Sequence, residues 1–195
     1  MPPLATPCAD RRPTGDDVAK PRRAAPKRGH RKDTDMVQQT LKSPMDLLHF
    51  QLRTAMTMEN DSLAALGELQ KAARTAEIKQ LFRHHAGETK EQIANLQQVF
   101  RLLELKESTA PSPSTKGISK QAASLIERSA PKLRDQVALS SALGNEHYEI
   151  SAYQALIVPT STLGLPDVVS LLQANLDQEV HTSEELQKTL QKLLA

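Results

Sequence analysis

The chain has 195 residues and 21.5 kDa, with 25 Lys/Arg against 23 Asp/Glu for a formal charge of +2, which is room for about one domain. Aromatic residues are 3% of the chain, Trp is absent and no apolar/polar alternation occurs, so an all-β fold is excluded. No apolar run approaches the ~18 residues that span a bilayer, the single cysteine (Cys8) cannot close a disulfide within the chain, and no apolar core follows the early basic residues, so the reading is a protein of the reducing cytoplasm with no membrane partner.

The first 40 residues hold nine Lys/Arg against five Asp, leaving 16 basic and 18 acidic residues for the rest of the chain. Pro2, Pro3, Pro7, Pro13, Pro21 and Pro26 interrupt every turn of this stretch, and its few apolar residues show no period. Such a segment cannot bury enough surface to offset chain entropy. Residues 1–40 are read as a disordered, basic, Pro-rich tail and residues 41–195 as the folded domain. The tail is either a solvated extension or an electrostatic arm for nucleic acid.

From Ser43 onward the apolar spacing is helical. Ser43-Pro44 supplies an N-cap with proline at the first helical position, and Met45, Leu48, Leu52, Met56, Leu63 and Leu66 carry the stripe of a helix over about 44–73. A second helix is expected over about 76–105 through Ile78, Leu81, Leu96, Val99 and Leu103. Lys106 to Lys116 reads as a Ser/Thr/Pro linker, followed by a short helix over about 118–129. Pro131 is expected to open a third long helix, about 132–158, and Pro159 to close it. The loop 160–166 then leads to a fourth, about 167–194, through Val169, Leu172, Leu176, Leu186 and Leu190. The first two long helices are joined tightly, as are the last two, while the middle connection is long enough to run the length of the molecule. The fold class is all-α: a four-helix bundle of two antiparallel hairpins joined by a long crossover that carries a short helix, which is the ferritin-like arrangement.

Each stripe carries acid where leucine is expected. At ~100° per residue, Leu52, Leu63 and Leu66 lie within about 40° of Glu59, and Leu172, Leu186 and Leu190 within about 20° of Glu179. Glu146 and Glu149 are one turn apart on the face of Ala142, Tyr153 and Leu156, and Glu88 shares its face with Leu81, His85, Gln92 and Val99. Heights agree as well. Glu59 and Glu88 are equidistant from the joint at Ala73-Arg74, and the pair Glu146/Glu149 and Glu179 from Leu163. Five glutamates and a histidine therefore converge on one level of a helical core that has no Lys or Arg to neutralise them. Hard oxygen donors with one imidazole describe a site for two divalent cations, Fe, Mn or Zn, with Glu59, His85, Glu88, Glu146, Glu149 and Glu179 as candidate ligands. His147 and His181 point outward, His84 reaches at most an outer position, and Gln92 and Tyr153 are candidates to orient a ligand or to fill the core.

The segments MEN (58–60), IKQLFRHHAGETKEQIANLQQVF (78–100), NEHYEISAYQAL (145–156) and LLQANLDQEV (171–180) resemble the YciE/YciF-like, ferritin-like, stress-associated family, over about residues 43–194. The resemblance implies a rubrerythrin-related bundle with a di-metal centre on the same six residues. There are departures. Family members commonly carry a Tyr-Asp pair before the first-helix glutamate, where this chain has Met56-Thr57, and an acidic pair where it has Gln178-Glu179. The ferritin order Glu-x-x-His is absent, the second helix reading His-x-x-Glu.

Two functions remain open. One is a carboxylate-bridged di-metal protein of the stress response, with Fe or Mn performing redox chemistry on oxygen or peroxide. The other is a non-enzymatic helical scaffold or DNA-associated stress protein with a vestigial metal site and a basic binding arm. Whether the chain is an enzyme is not decided by its residues. Nucleophile elbows, phosphate loops and Ser/His/Asp arrangements are absent, which argues against a conventional hydrolase. Leu47, Phe50 and Phe100 lie off the main stripes and are expected to contact the short helix or a second subunit, a homodimer being the natural arrangement.

Overall fold

The computed structural model describes residues 40–195, and the basic tail expected at the N-terminus lies outside the described residues. Five α-helices follow in order: α1 (Pro44–Ala72), α2 (Ala76–Leu102), α3 (Pro113–Arg128), α4 (Arg134–Thr162) and α5 (Pro166–Leu194), with a 3₁₀ turn at Pro131–Leu133 before α4. Among the described residues there is no strand, and no helix is long and apolar enough to cross a membrane.

Local chemistry sets the helix ends. A capping box starts α1: Asp46 N donates to Ser43 Oγ at 3.1 Å, and Ser43 N donates back to Asp46 Oδ2 at 3.0 Å. The short joint to α2 has no side-chain cap of its own. Asp135 of α4 reaches across instead, accepting from Arg74 N at 2.5 Å and Thr75 N at 3.2 Å. α2 ends at Leu102, three residues earlier than the apolar stripe implies, because Glu104 takes φ 54° and the chain reverses: Leu105 N donates to Phe100 O and Glu104 N to Arg101 O.

Two proline expectations are corrected. α3 begins at Pro113, inside the stretch read as linker, because proline suits the first helical turn where its missing N–H has no partner to lose. Pro159 lies within α4 instead of closing it. Its ring withdraws a donor only from the carbonyl of Ala155, an exposed residue, and the helix runs on to Thr162. The true stop is Gly164, at φ 71°, with Leu165 N donating to Thr160 O and Gly164 N to Ser161 O. That pattern needs a left-handed residue, which glycine adopts without a Cβ penalty.

α1 packs on α2 and α4, and α5 packs on α4 and α2, which leaves α1/α5 and α2/α4 as diagonals. Leu48 and Leu52 near the start of α1 share a cluster with Val99 and Phe100 at the end of α2, Leu156 late in α4, and Val168 and Leu172 early in α5. Neighbouring helices are therefore antiparallel. The crossover runs along α1, held by Ala110 N to Arg53 O at 3.0 Å, Arg53 Nη2 to Thr109 O at 2.8 Å and Thr57 Oγ1 to Ala110 O at 2.6 Å. A second apolar cluster, with Leu66, Leu69, Ile78, Phe82, Leu139 and Leu186, fills the other end. Phe100 corrects its expected exposure: it is buried in the first cluster, edge-on to His49 with ring centroids 6.2 Å apart, while Leu47 and Phe50 are exposed.

Candidate metal centre

Between the two apolar clusters the core turns acidic. Glu59, Glu146, Glu149 and Glu179 are all buried there, carried inward by the same faces that present leucines one and two turns away. Among the described residues, Glu146, Glu149 and Glu179 form the tight group, each offering an oxygen within 4.8 Å of the others. Glu59 joins them from α1 through its charge coupling to Glu149 and Glu179. Two expected ligands, Glu88 and His85 of α2, are not in this tight group: the charge of Glu88 reaches Glu146 and Glu179, while His85 faces Glu185. The Glu88 side chain is 17% exposed, and its Oε2 accepts from Thr182 Oγ1 at 3.3 Å.

Burial dominates the protonation of the centre. It pushes Glu59 up to about 8, and the hydrogen bond from Tyr153 opposes the shift only in part. Burial, with repulsion from Glu146 and Glu59, pushes Glu179 up to about 12. Glu146 and Glu149 are raised well above the carboxylate range by burial and then by their acidic neighbours. Without cations, burial favours the protonated form of each of these carboxyl groups. Among the described residues the lysine ion pairs are at the surface, Lys71–Glu68, Lys188–Glu184 and Lys192–Glu77, and none neutralises the interior.

Several donors in this layer have no partner in the protein. Glu59 Oε2, Glu149 Oε1 and Glu179 Oε1 are buried without a hydrogen bond, as is His85 Nδ1. Each such atom costs ~1–3 kcal/mol if nothing replaces the water it lost. Hard carboxylate oxygens gathered in a buried group suit a divalent cation, and Glu146, Glu149 and Glu179 could hold one. The Nε2 of His85 faces Glu185 Oε2 at 3.3 Å, its Nδ1 is buried without a partner, and burial lowers its pKa. His84 takes the outer position expected of it, with Nε2 3.6 Å from Glu88 Oε1, and His147 and His181 are exposed.

Of the neutral polar side chains that hold the acids, Tyr153 is a candidate from the sequence, whereas the asparagines are not revealed by apolar periodicity. Asn145 Nδ2 donates to Glu149 Oε2 and to Ser62 Oγ, both at 3.0 Å. Tyr153 OH donates to Glu59 Oε1, Asn175 Nδ2 donates to Tyr153 OH at 2.9 Å, and Asn95 Nδ2 donates to Asn175 Oδ1 at 2.7 Å. The aromatic hydroxyl that Met56-Thr57 does not bring to Glu59 is thus supplied from α4. A signal existed: Asn145 and Asn175 each precede an inward glutamate by one helical turn, and Thr182 and Glu185 follow Glu179 on the same helix.

Comparison with known proteins agrees with this architecture. The family described as Domain of unknown function (DUF892) matches residues 43–195. Protein YciF of Escherichia coli (strain K12) is 28% identical over 148 residues, 75% of this chain and 89% of YciF. The crystal structure of the E. coli stress protein YciF superposes with a TM-score of 0.75 at 26% identity, covering 79% of this chain and 98% of that one. YcfI of Rhodopseudomonas palustris superposes with a TM-score of 0.74 at 31% identity, covering 76% and 96%.

Proposed function

The chain belongs to the YciE/YciF-like DUF892 family, and from that premise and the buried acidic layer we propose that it is a carboxylate-bridged di-metal protein of the stress response. The observation that carries the proposal is the set of unpaired inward donors, Glu59 Oε2, Glu149 Oε1, Glu179 Oε1 and His85 Nδ1, in a layer with no protein cation. Glu59, His85, Glu88, Glu146, Glu149 and Glu179 are the proposed ligands. The stress role is carried over from the name of E. coli YciF.

Two Fe or Mn ions, when bound, supply electron-transfer chemistry toward dioxygen or peroxide. The surrounding residues do the rest. Asn145 fixes the rotamer of Glu149 through Glu149 Oε2 and leaves Oε1 free. Tyr153 fixes Glu59 in the same way and keeps a proton at its hydroxyl, because burial and then the adjacent Glu59 charge raise its pKa well above 10. Glu185 orients His85. The apolar clusters above and below exclude water, which strengthens each electrostatic contact within the layer.

The test is titration of metal-free protein with Fe(II) or Mn(II) under anaerobic conditions, read as ions bound per chain. Two ions per chain, with loss of binding in Glu59→Ala and Glu149→Ala, is the expected result. Fewer than one ion, unchanged in those variants, would leave the scaffold reading in its place.

A further inference from the structure

Away from the metal ligands, a groove of about 450 Å³ opens to the surface between α1 and α3. Its apolar lining comes from Ala65 and Leu69 of α1 and Ala122 and Ile126 of α3, and two acids, Asp61 and Glu68, line it along with Lys116 and Lys120. Beneath it lies a second, narrow cavity of about 20 Å³, and Ala65, Leu69, Ser119 and Ala122 line both. The inner cavity ends on Ser62, Asn145 and Glu146. Glu146 is 3% exposed and belongs to the tight carboxylate group, so the inner cavity borders the acidic layer while sharing four lining residues with the surface groove.

We propose that this groove and the cavity below it form the passage by which small uncharged molecules, dioxygen or hydrogen peroxide, reach the carboxylate layer, with α3 as its outer wall. The idea rests on the di-metal reading for the use made of such molecules, and on the cavities for the route. Size and polarity select the cargo. The inner cavity is large enough for about one water-sized molecule. A divalent cation would have to shed its hydration shell against Ala65, Leu69 and Ala122, at a desolvation cost that neutral molecules escape. At the inner end the hydroxyls of Ser62 and Ser141 and the amide of Asn145 give a peroxide or a water hydrogen-bond partners, and Asn145 links that end directly to Glu149.

The wall itself is lightly held. Thr115 and Ala122 are the buried residues of α3, and Gly117 lowers its helix propensity by about 1 kcal/mol relative to alanine. Its N-terminal turn is tied to α1 by Thr115 Oγ1 donating to Asp61 Oδ2 at 2.7 Å. The half that carries Ala122 and Ile126 rests on the groove, and an element with so little buried surface opens locally at low cost.

The test uses the full-length, metal-free protein, so its outcome does not depend on whether metal binds. Methyl NMR spectra are recorded under dioxygen and under nitrogen, and paramagnetic broadening by dioxygen is read at the alanine methyls. The passage predicts stronger broadening at Ala142, which lines the inner cavity, than at Ala55, which is equally buried in the far apolar cluster. Ala122→Phe fills the groove and should abolish the excess at Ala142. Ala65→Leu, a smaller addition on the opposite wall, should do the same if the first variant does not fold. Equal broadening at Ala142 and Ala55 in the unmodified protein, or an excess at Ala142 that survives both substitutions, overturns the proposal. Either result would leave the cation titration to decide the di-metal reading separately.

Discussion

Replacing Glu59 with glutamine should stabilise the metal-free protein at neutral pH, although it alters a fully buried side chain. Burial raises the folded-state pKa of Glu59 from 4.5 to about 8. Below pH 4.5 both folded and unfolded chains hold the proton, and the group has no effect on stability. Between 4.5 and 8 only the folded chain holds it, so the folded state binds more protons and stability falls as pH rises, by about 1.4 kcal/mol per unit. The loss reaches about 3 kcal/mol at pH 7 and is complete above the folded pKa. Glu146, Glu149 and Glu179 act in the same direction. The substituted amide cannot titrate, and its oxygen can still accept from Tyr153. Urea unfolding of the chelator-treated protein, followed by circular dichroism from pH 5 to 8, should show the wild type weakening steadily. Glu59→Gln should exceed it by about 1 kcal/mol near pH 5 and by about 3 kcal/mol near pH 7, the latter on the order of 6–12 °C in Tm for a domain of this size. A wild-type stability that is flat or rises from pH 5 to 7, or a variant weaker than wild type at pH 7, would refute the claim that these acids are dry and proton-bound without metal.

Other substitutions probe the supporting structure. Tyr153→Phe removes the donor to Glu59 and the acceptor of Asn175, and should cost ~1–3 kcal/mol in urea unfolding while weakening metal affinity about 10- to 100-fold by competition with a chelator. Asp135→Ala uncovers the backbone N–H groups of Arg74 and Thr75 and should cost about 1–2 kcal/mol, with metal stoichiometry unchanged. Gly164→Ala places a Cβ at φ 71° and should lower stability by about 1 kcal/mol, again without effect on metal binding.

What the sequence makes legible is periodic. Leucines at helical spacing locate four long helices, and the short joints on either side of a long crossover order them. The inward aim of Glu59, Glu146, Glu149 and Glu179 is legible for the same reason, since an acid among leucines on one face has no other place to point. Matching heights follow from equal distances to each hairpin joint. What escapes is aperiodic or long-range. Asn175 and Asn145 are neutral, so a reading of apolar and acidic positions passes over them although each sits one turn before an inward glutamate, and Glu185 meets His85 across 100 positions of sequence. Pro113 and Pro159 mislead because the cost of proline depends on which carbonyl it abandons, a property of position within the turn and of exposure. Phe100 lies off the predicted stripe, yet the end of the bundle closes over it.

Anomalous diffraction at the Fe or Mn absorption edge from crystals of the metal-loaded protein locates any cation held among these buried oxygens. Two anomalous peaks about 3.5–4 Å apart, in contact with Glu59, Glu146, Glu149 and Glu179, are the expected result. Peaks confined to surface carboxylates, or an interior without anomalous signal in protein that carries stoichiometric metal, would contradict it.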